Sequence, residues 1–301
     1  MTADPTGRRF ILTRDGVTAE IAQVGASLRA LAVAGTDLIS RYADDMATPS
    51  ASGVVLVPWP NRISGGVWDD GGEARRLAIT EPALGNASHG LLRFSPYTAD
   101  AEPTDRVTLR AEVYPQTGYP FHLATSVTYS LTDTGVHVRH ELQNVGGTPA
   151  PVALGTHPFV EIGGVDTADL VIRSGGTTRL VLDEKKIPLR EEEVDADTDL
   201  RGGRRVGDLS LDTTYRGMPR DADGRIRHTL TSPDGRILTL WQGVGFEWAQ
   251  VFTTDRYPQR TLALAIEPMT APPNAFRTEI DLRHLAPGES WTLEWGIELA
   301  H

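Results

Sequence analysis

The feature that most restricts the fold of this chain is the spacing of its turn-forming residues. Gly and Pro number 30 and 20 among 301 residues, and both are spread along the whole chain. No stretch of about 12 residues or more keeps a clean helical period. Short alternating or β-branched runs end instead at pairs such as Asp-Gly and Gly-Gly. This pattern predicts many short strands packed as a β-sandwich or barrel.

Three hairpins are predicted from strand-like runs that are joined by turn residues. The clearest has Pro-Asp-Gly in its turn, which supplies the turn dihedrals at low cost. The paired runs are Arg9–Thr13 with Val17–Ile21, Phe121–Leu131 with Val136–Leu142, and Arg225–Thr231 with Arg236–Trp241. Single strands are predicted at Ser27–Val33, Phe246–Thr253, Thr261–Ile266 and Trp291–Leu299. The polar segment Glu191–Arg205 is predicted to be a surface loop, and residues 1–301 are predicted to form one domain.

Charge and composition exclude several classes of function. The formal net charge of −11 repels a phosphate backbone, and the short run Arg201-Gly-Gly-Arg204-Arg205 is interpreted as solvated loop, so we expect no nucleic-acid partner. The chain has no cysteine, which excludes disulfides, thiolate nucleophiles and cysteine-based metal sites. No run of about 18 apolar residues is present, so we expect no membrane span. A cytoplasmic location fits these features.

Two of the candidate polar segments present hydrogen-bonding groups from rigid backbone. In Val57-Pro-Trp-Pro-Asn-Arg-Ile63, two prolines stiffen the chain just before Asn61 and Arg62. An amide and a guanidinium suit the recognition of several hydroxyl groups, although a proline-rich turn with a surface arginine has the same sequence. His89 precedes Gly90, which permits close approach of backbone to a ligand, but an ordinary turn histidine is the alternative.

Two further segments carry candidate acid/base groups. Pro158 pushes His157 towards extended geometry among apolar neighbours, where its pKa can be tuned for proton transfer; a satisfied core histidine is the alternative. Glu267 follows the apolar run Leu262–Ile266, and Pro268 is expected to end regular strand pairing there. A carboxylate in that position is either a base with a raised pKa or one half of a buried ion pair with an arginine.

Other combinations of these residues receive less support. Asp212 by itself is typical of a structural loop acid. His89, His157 and a carboxylate could form a metal triad, but no two of them share a close spacing, so we expect neither metal nor cofactor. Asp212 and Glu267 could form a glycosidase pair, yet that chemistry does not require two histidines. The aromatic residues Trp59, Trp68, Trp248 and Phe276 could stack on a sugar, although core packing is favoured for each.

Taken in order, the candidate segments resemble the aldose 1-epimerase family, the galactose-mutarotase-like proteins. The matching segments lie in family order between about residues 50 and 280. They are Asn61-Arg62-Ile63, His89-Gly90, His157-Pro158-Phe159, Leu211-Asp212, Gln250-Val-Phe-Thr253, Glu267-Pro-Met-Thr and Pro273-Asn-Ala-Phe276. Two positions depart from the better-known galactose mutarotases: Pro158-Phe159-Val160 replaces an aromatic-then-Asn pattern, and His89-Gly90-Leu91 replaces His-Gly-Gly. The resemblance therefore does not name the sugar.

The resemblance implies an all-β fold, a large antiparallel β-sandwich of the supersandwich type with an open sugar cleft. It implies interconversion of the α and β anomers of a free aldohexose or related sugar, with Glu267 as general base and His157 as general acid. It also implies that sugar hydroxyl groups are held by Asn61, Arg62, His89, Asp212 and Gln250. The partner would be a monosaccharide, and the chain a monomer or homodimer.

Two alternative functions on the same fold stay open. A carbohydrate-binding or regulatory protein would keep the hydroxyl-binding residues and would not need the acid/base pair. An epimerase for phosphorylated hexoses would need several cationic groups around the phosphate. The sequence contains no clear arginine cluster near the motifs.

Overall fold

The computed structural model describes residues 4–100 and 104–300. Its described residues form 27 strands, three short 3₁₀ turns and one four-residue α-helix. No helix among them is long and apolar enough to cross a bilayer. The all-β prediction is therefore confirmed.

The strands are short and follow one another closely along the chain. In the first half they are β1 (Arg9–Arg14), β2 (Val17–Ala22), β3 (Leu28–Val33), β4 (Thr36–Asp37), β5 (Val55–Leu56), β6 (Arg62–Ser64), β7 (Val67–Asp70), β8 (Glu73–Arg76), β9 (Asn86–Ser88), β10 (Thr98–Ala99), β11 (Arg106–Val113), β12 (Leu123–Thr132), β13 (Gly135–Asn144), β14 (Ala150–Val152), β15 (Gly155–Thr156) and β16 (Phe159–Val160). In the second half they are β17 (Val171–Arg173), β18 (Thr178–Leu182), β19 (Pro188–Glu193), β20 (Arg204–Arg205), β21 (Asp212–Arg216), β22 (Ile226–Thr231), β23 (Ile237–Gln242), β24 (Trp248–Thr254), β25 (Ala263–Met269), β26 (Arg283–Leu285) and β27 (Ser290–Ala300). The helical pieces are the 3₁₀ turns Pro49–Ala51, Thr167–Asp169 and Val206–Asp208, and α1 (Ala275–Thr278).

Two large antiparallel sheets dominate the architecture. One has nine strands in the order β10-β11-β12-β13-β27-β23-β22-β17-β20. The other has eight: β19-β18-β21-β24-β25-β15-β5, with β16 pairing with β25 beside β15. A four-stranded sheet of β1 to β4 and three two-stranded ribbons complete the described fold. The strand order of both large sheets mixes strands from the first and second halves of the chain.

The two large sheets share one hydrophobic core. Alternate side chains along a strand point to opposite faces, so each sheet can offer one apolar face to the other. The inward-facing residues belong to a single buried cluster that includes Val127, Tyr129, Leu142, Leu293, Trp295 and Ile297 from the nine-stranded sheet and Val251, Leu264 and Ile266 from the eight-stranded sheet. This shared core identifies the fold as a sandwich.

The three predicted hairpins are present, with their ends displaced by at most two residues. β1 and β2 pair from Arg9↔Ala22 to Arg14↔Val17. The second hairpin is β12 with β13, and the third is β22 with β23. The four single strands predicted correspond to β3, β24, β25 and β27.

The prediction that Glu191–Arg205 is a continuous surface loop is wrong at both ends. Glu191, Glu192 and Glu193 belong to β19, which pairs with β18, and Arg204–Arg205 forms β20. β19 is the outermost strand of its sheet, and its residues are exposed or half-buried. Such an edge strand shows no apolar alternation and commonly carries charge, which discourages pairing with another chain.

Candidate active site

The eight-stranded sheet supplies the floor of the candidate site. Glu267 on β25 pairs with Gln250 on β24, which pairs with Thr214 on β21. Residues opposite one another in antiparallel strands project to the same face, so these three side chains form a polar row across the sheet. Asp212 starts β21 beside this row, and its Oδ1 accepts a hydrogen bond of 2.7 Å from Gln250 Nε2. Gln250 Oε1 in turn accepts a hydrogen bond from Thr214.

Glu267 lies inside its strand, which corrects the prediction that pairing ends at Pro268. β25 continues to Met269, and Pro268 pairs with Ala249. Residue 268 lies between Ile266 and Thr270, whose N–H groups donate to the segment of chain that carries β15 and β16. That segment is interrupted between its two short strands, so a proline, which has no N–H, is tolerated in the middle of the sheet.

His157 occupies this interruption between β15 and β16. The ring of His157 stacks on Phe159, with centroids 5.2 Å apart, and meets the ring of His89 edge-on at 5.5 Å. The backbone carbonyl of His157 accepts a hydrogen bond from Gly53 N. Since ring contacts and backbone bonds fix the imidazole, Nε2 lies 3.3 Å from Glu267 Oε1.

Burial sets the protonation of this Glu–His pair. The side chains of His157 and Glu267 are only 7% and 3% exposed. Desolvation lowers the pKa of His157 to about 3. It raises the pKa of Glu267 well above 4.5, and the negative charge of Asp212 adds to this rise. Both shifts disfavour the charged forms, so burial favours a neutral pair with its proton on Glu267 and none on His157.

Two atoms of the pair have unused hydrogen-bonding capacity. His157 Nδ1 and Glu267 Oε2 are buried and have no hydrogen-bond partner among the described residues. A buried polar atom without a partner costs free energy in a folded protein. A ligand that contacts both atoms would remove this cost.

The opposite wall of the site contains Asn61, Arg62 and His89. β6 starts at Arg62 and pairs with β9, which ends at Ser88, so the two functional segments are neighbours. His89 N donates to Asn61 O at 2.8 Å, and both residues have left-handed backbone, with φ of 63° and 55°. Such backbone is uncommon for residues other than glycine and persists where the surrounding structure fixes it.

Gly90 serves a packing role that differs from the predicted one. Its φ is +74°, and a Cβ atom placed there would lie 2.1 Å from the carbonyl oxygen of Val57. The close approach is therefore between two backbone segments of the protein, those of Gly90 and Val57, and Leu91 N donates to the same Val57 carbonyl oxygen.

We expect Gly90→Ala to lower the free energy of unfolding far more than Gly85→Ala. Gly85 has a similar φ of +72°, but a Cβ atom there meets nothing within 4 Å. Gly85→Ala carries only the left-handed backbone cost of about 1 kcal/mol, whereas Gly90→Ala adds a clash and should cost about 3 kcal/mol. Urea denaturation of both variants measures the difference, and equal midpoints would contradict this packing argument.

Arg62 is held by a carboxylate that sequence analysis did not select. Its Nε and Nη2 donate to the two oxygens of Glu81 at 2.8 and 3.0 Å. Its third nitrogen, Nη1, donates to Asn61 Oδ1 at 3.3 Å. A two-point contact of this kind fixes the plane of the guanidinium. Arg62 is therefore an oriented group whose charge is largely balanced by Glu81.

Two of the motifs in the second half of the chain support these segments through backbone contacts. Asn274 N donates to Arg62 O, and Asn274 Oδ1 accepts from Ser64 N, so the Pro273–Phe276 motif anchors β6. Thr253 Oγ1 accepts from Leu211 N, next to Asp212. These contacts explain why residues of the motifs that do not reach the site accompany those that do.

All seven predicted site residues line one cavity of about 290 Å³. This volume is at the small end of the range for ligand pockets, roughly 300–1,000 Å³. The residues brought together are Asn61, Arg62, His89, His157, Asp212, Gln250 and Glu267. A larger groove of about 510 Å³ lies on the outer face of the nine-stranded sheet, and none of the seven residues borders it.

Sequence analysis missed several other residues that line the cavity. They are Ser50, Ala51, Thr80, Glu81, Ser88, Arg93 and Phe252. Arg93 makes no ion pair with any described residue; its guanidinium lies over the ring of Phe94, and burial lowers its pKa. Phe252 lies two residues after Gln250 on β24, so both side chains project to the same face of the sheet. The period of two in that strand could therefore have predicted that Phe252 lies on the floor of the cavity.

The four aromatic residues considered for sugar stacking do not line the cavity. Trp59 and Trp68 both pack edge-on against Phe276, at 5.5 and 5.1 Å between centroids. Trp248 is buried, and its Nε1 donates to Asp281. Core packing, the favoured interpretation from sequence, is their role in this structure.

Within the described ranges, no group of three or more His, Asp or Glu side chains has the arrangement needed to hold a metal ion. The Glu–His pair can exchange protons with a bound molecule, and the amide, guanidinium and carboxylate groups of the cavity can hydrogen-bond to its hydroxyl groups.

Comparison with known proteins places this chain in a single family. The profile of the aldose 1-epimerase family matches residues 8–298, and the chain belongs to that family. The uncharacterized protein YihR of Escherichia coli (strain K12) is 30% identical over 294 residues, which cover 97% of this chain and 93% of that protein.

Solved structures agree with the fold. The GalM/aldose epimerase homologue from C. elegans superimposes with a TM-score of 0.84 at 17% identity, covering 98% of this chain and 99% of that one. A galactose mutarotase-like protein from Clostridium acetobutylicum gives 0.82 at 16% identity, covering 97% and 94%. The large antiparallel sandwich predicted from the resemblance is thereby confirmed.

Proposed function

We propose that this protein is an aldose 1-epimerase, an isomerase that interconverts the α and β anomers of a monosaccharide. The observation that carries the proposal is the buried pair of Glu267 and His157, 3.3 Å apart in a cavity lined by hydrogen-bonding side chains. A binding protein could recognise a sugar with the remaining residues and would have no use for a desolvated carboxylate facing an imidazole.

The proposed reaction needs two proton transfers at two different oxygens of the sugar. Burial places the single proton of the resting pair on Glu267, and this proton first moves to His157 across their 3.3 Å contact. Glu267 then removes the proton of the C1 hydroxyl group while His157 donates a proton to the ring oxygen. The bond from C1 to the ring oxygen breaks and a carbonyl forms at C1. Rotation about the C1–C2 bond then presents the other face, and reversal of the transfers closes the ring. A positioned acid or base contributes typically ~10²–10⁴-fold each.

The remaining site residues would hold the sugar so that its C1 hydroxyl group faces Glu267 and its ring oxygen faces His157. Arg62 and Asp212 are charged groups fixed by neighbours, which suits charge-assisted hydrogen bonds to hydroxyl groups. Asn61, His89 and Gln250 add neutral donors and acceptors; burial lowers the pKa of His89 well below 6.5, so its imidazole is uncharged at neutral pH. Neither metal nor cofactor is required for this chemistry.

Mutarotation assays on a panel of sugars test the proposal directly. Polarimetry or NMR saturation exchange with glucose, galactose, xylose, arabinose and glucose 6-phosphate would compare each rate with the spontaneous one. Acceleration of any of them supports an epimerase, and the order of the rates defines the substrate class. Binding of a sugar without acceleration would identify the protein as a carbohydrate-binding protein instead.

Arg93 favours a charged sugar as a second candidate substrate. It lines the cavity, and its Nε is buried with no hydrogen-bond partner in the described part of the chain. Sequence analysis had located no arginine cluster near the motifs, and the fold brings Arg93 to the cavity beside Arg62. A phosphorylated hexose would offer an anion to this guanidinium. A preference for glucose 6-phosphate over glucose that disappears in Arg93→Gln would support this candidate.

We expect the activity to have a broad pH plateau across neutrality. The active form is the pair with one proton, so activity falls when the pair takes up a second proton or loses its last one. Burial disfavours both changes: the pKa of His157 is held near 3, and that of Glu267 is held well above 4.5. The profile of kcat/KM from below the acid limb near pH 3 up to alkaline pH, corrected for spontaneous mutarotation, measures it. A narrow bell between the ordinary values of 4.5 and 6.5 would contradict this assignment.

A further inference from the structure

The chain contains only two lysines, Lys185 and Lys186, and they are adjacent. They lie in the turn between β18 and β19, whose backbone is fixed by Asp183. Asp183 Oδ1 accepts hydrogen bonds from Lys185 N at 2.9 Å and Ile187 N at 2.8 Å. Lys186 has a left-handed backbone, with φ of 63°. A non-glycine residue keeps this conformation where neighbouring contacts determine it.

The turn is also tied to the wall of the cavity. Asn86 Nδ2 donates to Lys185 O at 2.9 Å and to Glu81 Oε2 at 3.2 Å. Glu81 is the carboxylate that holds Arg62. One buried amide therefore connects the lysine turn to the segment that orients Arg62.

The two lysine side chains differ in their surroundings. Lys185 is exposed, and its side chain has no ion pair within the described ranges. Lys186 Nζ lies 3.3 Å from Asp212 Oδ2, and the two side chains are 43% and 23% exposed. Asp212 Oδ1 is occupied by Gln250. Both oxygens of the Asp212 carboxylate are thus held, Oδ1 by Gln250 on the floor of the cavity and Oδ2 by Lys186 in the turn.

We propose that Lys186 is a positioning residue of the sugar site. It fixes the carboxylate of Asp212 and reduces the effect of the negative charge of Asp212 on Glu267. This inference rests on the proposed function of the site. Asp212 belongs to the proposed hydroxyl-binding set, so its orientation governs substrate alignment. Its negative charge acts on Glu267, so a cation at Oδ2 makes ionisation of Glu267 easier.

The charges around Glu267 come from every side of the cavity. The floor carries the negative charge of Asp212, which is paired with Lys186. The walls carry the charges of Arg62, Arg93 and Glu81. The titratable rings of His157 and His89 also line the cavity. Arg62 has Glu81 as its ion-pair partner. Removal of Lys186 would leave Asp212 without its ion-pair partner and increase the negative charge near Glu267.

The contact itself can be tested without any measurement of activity. Reductive methylation with ¹³C-formaldehyde labels both lysines and keeps their charge. In ¹³C NMR spectra, Asp212→Asn should move the Lys186 resonance and leave that of Lys185 in place. Lys185→Gln and Lys186→Gln assign the two resonances. An unmoved Lys186 resonance would overturn the inference.

The pH profile tests the role of the contact. Lys186→Gln should move both limbs of the kcat/KM profile to higher pH, because added negative charge favours the protonated forms of the pair. At neutral pH, kcat/KM should fall about 2- to 5-fold, the range of a partly exposed ion pair. Lys186→Arg should restore both quantities, and Lys185→Gln, which removes the same charge one residue away, should change neither.

A double variant separates action through Asp212 from other effects. In an Asp212→Asn background, Lys186→Gln should no longer move the profile, and a shift that persists there would overturn the inference. If no sugar is turned over, titration with the same sugars decides: weaker binding to Lys186→Gln supports the positioning role without catalysis. Equal binding contradicts it, and absence of binding by the unaltered protein contradicts the proposed function as well.

Discussion

Glu267→Gln should lower turnover by about 10²-fold or more while sugar affinity stays within a few-fold. The amide has nearly the shape of the carboxylate and can still hydrogen-bond to the C1 hydroxyl group, but it cannot accept the proton. Glu267 is buried on β25 and lies within reach of His157. No other described carboxylate has this position, so none can replace it as the base. Polarimetric progress curves give kcat, and sugar titration gives affinity.

Glu161→Gln is the matched control for this variant. Glu161 is also buried and has a raised pKa, but it binds Ser40 and Arg260 and does not line the cavity. Its replacement should reduce the free energy of unfolding and leave kcat within a few-fold. Near-normal mutarotation by Glu267→Gln would remove Glu267 from the role of base.

His157→Gln should depress kcat to a similar degree and remove the alkaline limb of the pH profile. Glutamine keeps a hydrogen-bonding side chain between β15 and β16 but cannot donate and regain a proton at neutral pH. The alkaline limb reports loss of the pair's last proton, after which no general acid is present; without His157 the profile keeps only the limb for ionisation of Glu267. The pH dependence of kcat/KM is the measurement, and an unchanged profile would contradict the assignment of His157.

His89→Gln provides the comparison for this second variant. The two rings lie 5.5 Å apart, but His89 has no contact with Glu267 like that of His157. We expect His89→Gln to raise KM more than it lowers kcat, because His89 is proposed only to bind hydroxyl groups. A loss of kcat equal to that of His157→Gln would show that the two histidines have been assigned wrongly.

Much of the fold could be predicted because local signals and tertiary structure agree in its hairpins. Asp15-Gly16 and the Ser232–Gly235 turn fix two antiparallel pairs whose registers run without interruption. The seven site residues could be selected because rigid or apolar neighbours mark them and because their order matches one family. Their convergence on one cavity required the non-local pairing of β21, β24 and β25.

The errors have physical causes that the sequence does not expose. Pro268 normally marks the end of pairing, but here the partner segment is interrupted opposite it. Glu191 to Glu193 lie in an edge strand, where no face is buried and no alternation results. Sequence analysis missed Glu81, Arg93 and Lys186 because each is a charged residue in a segment that looks exposed. Their roles depend on residues far away in the sequence, such as Arg62 for Glu81 and Asp212 for Lys186.

The floor and the walls of the cavity differ in construction, and this difference bears on how such a protein can diverge. Glu267 and Gln250 lie inside β25 and β24, which pair with each other along their whole length, whereas Arg93 and Lys186 lie in connecting segments. Connecting segments tolerate insertion and replacement far better than the interior of a sheet. Selection can therefore remodel the rim for a new sugar over evolutionary time while the inherited proton-handling residues stay where they are.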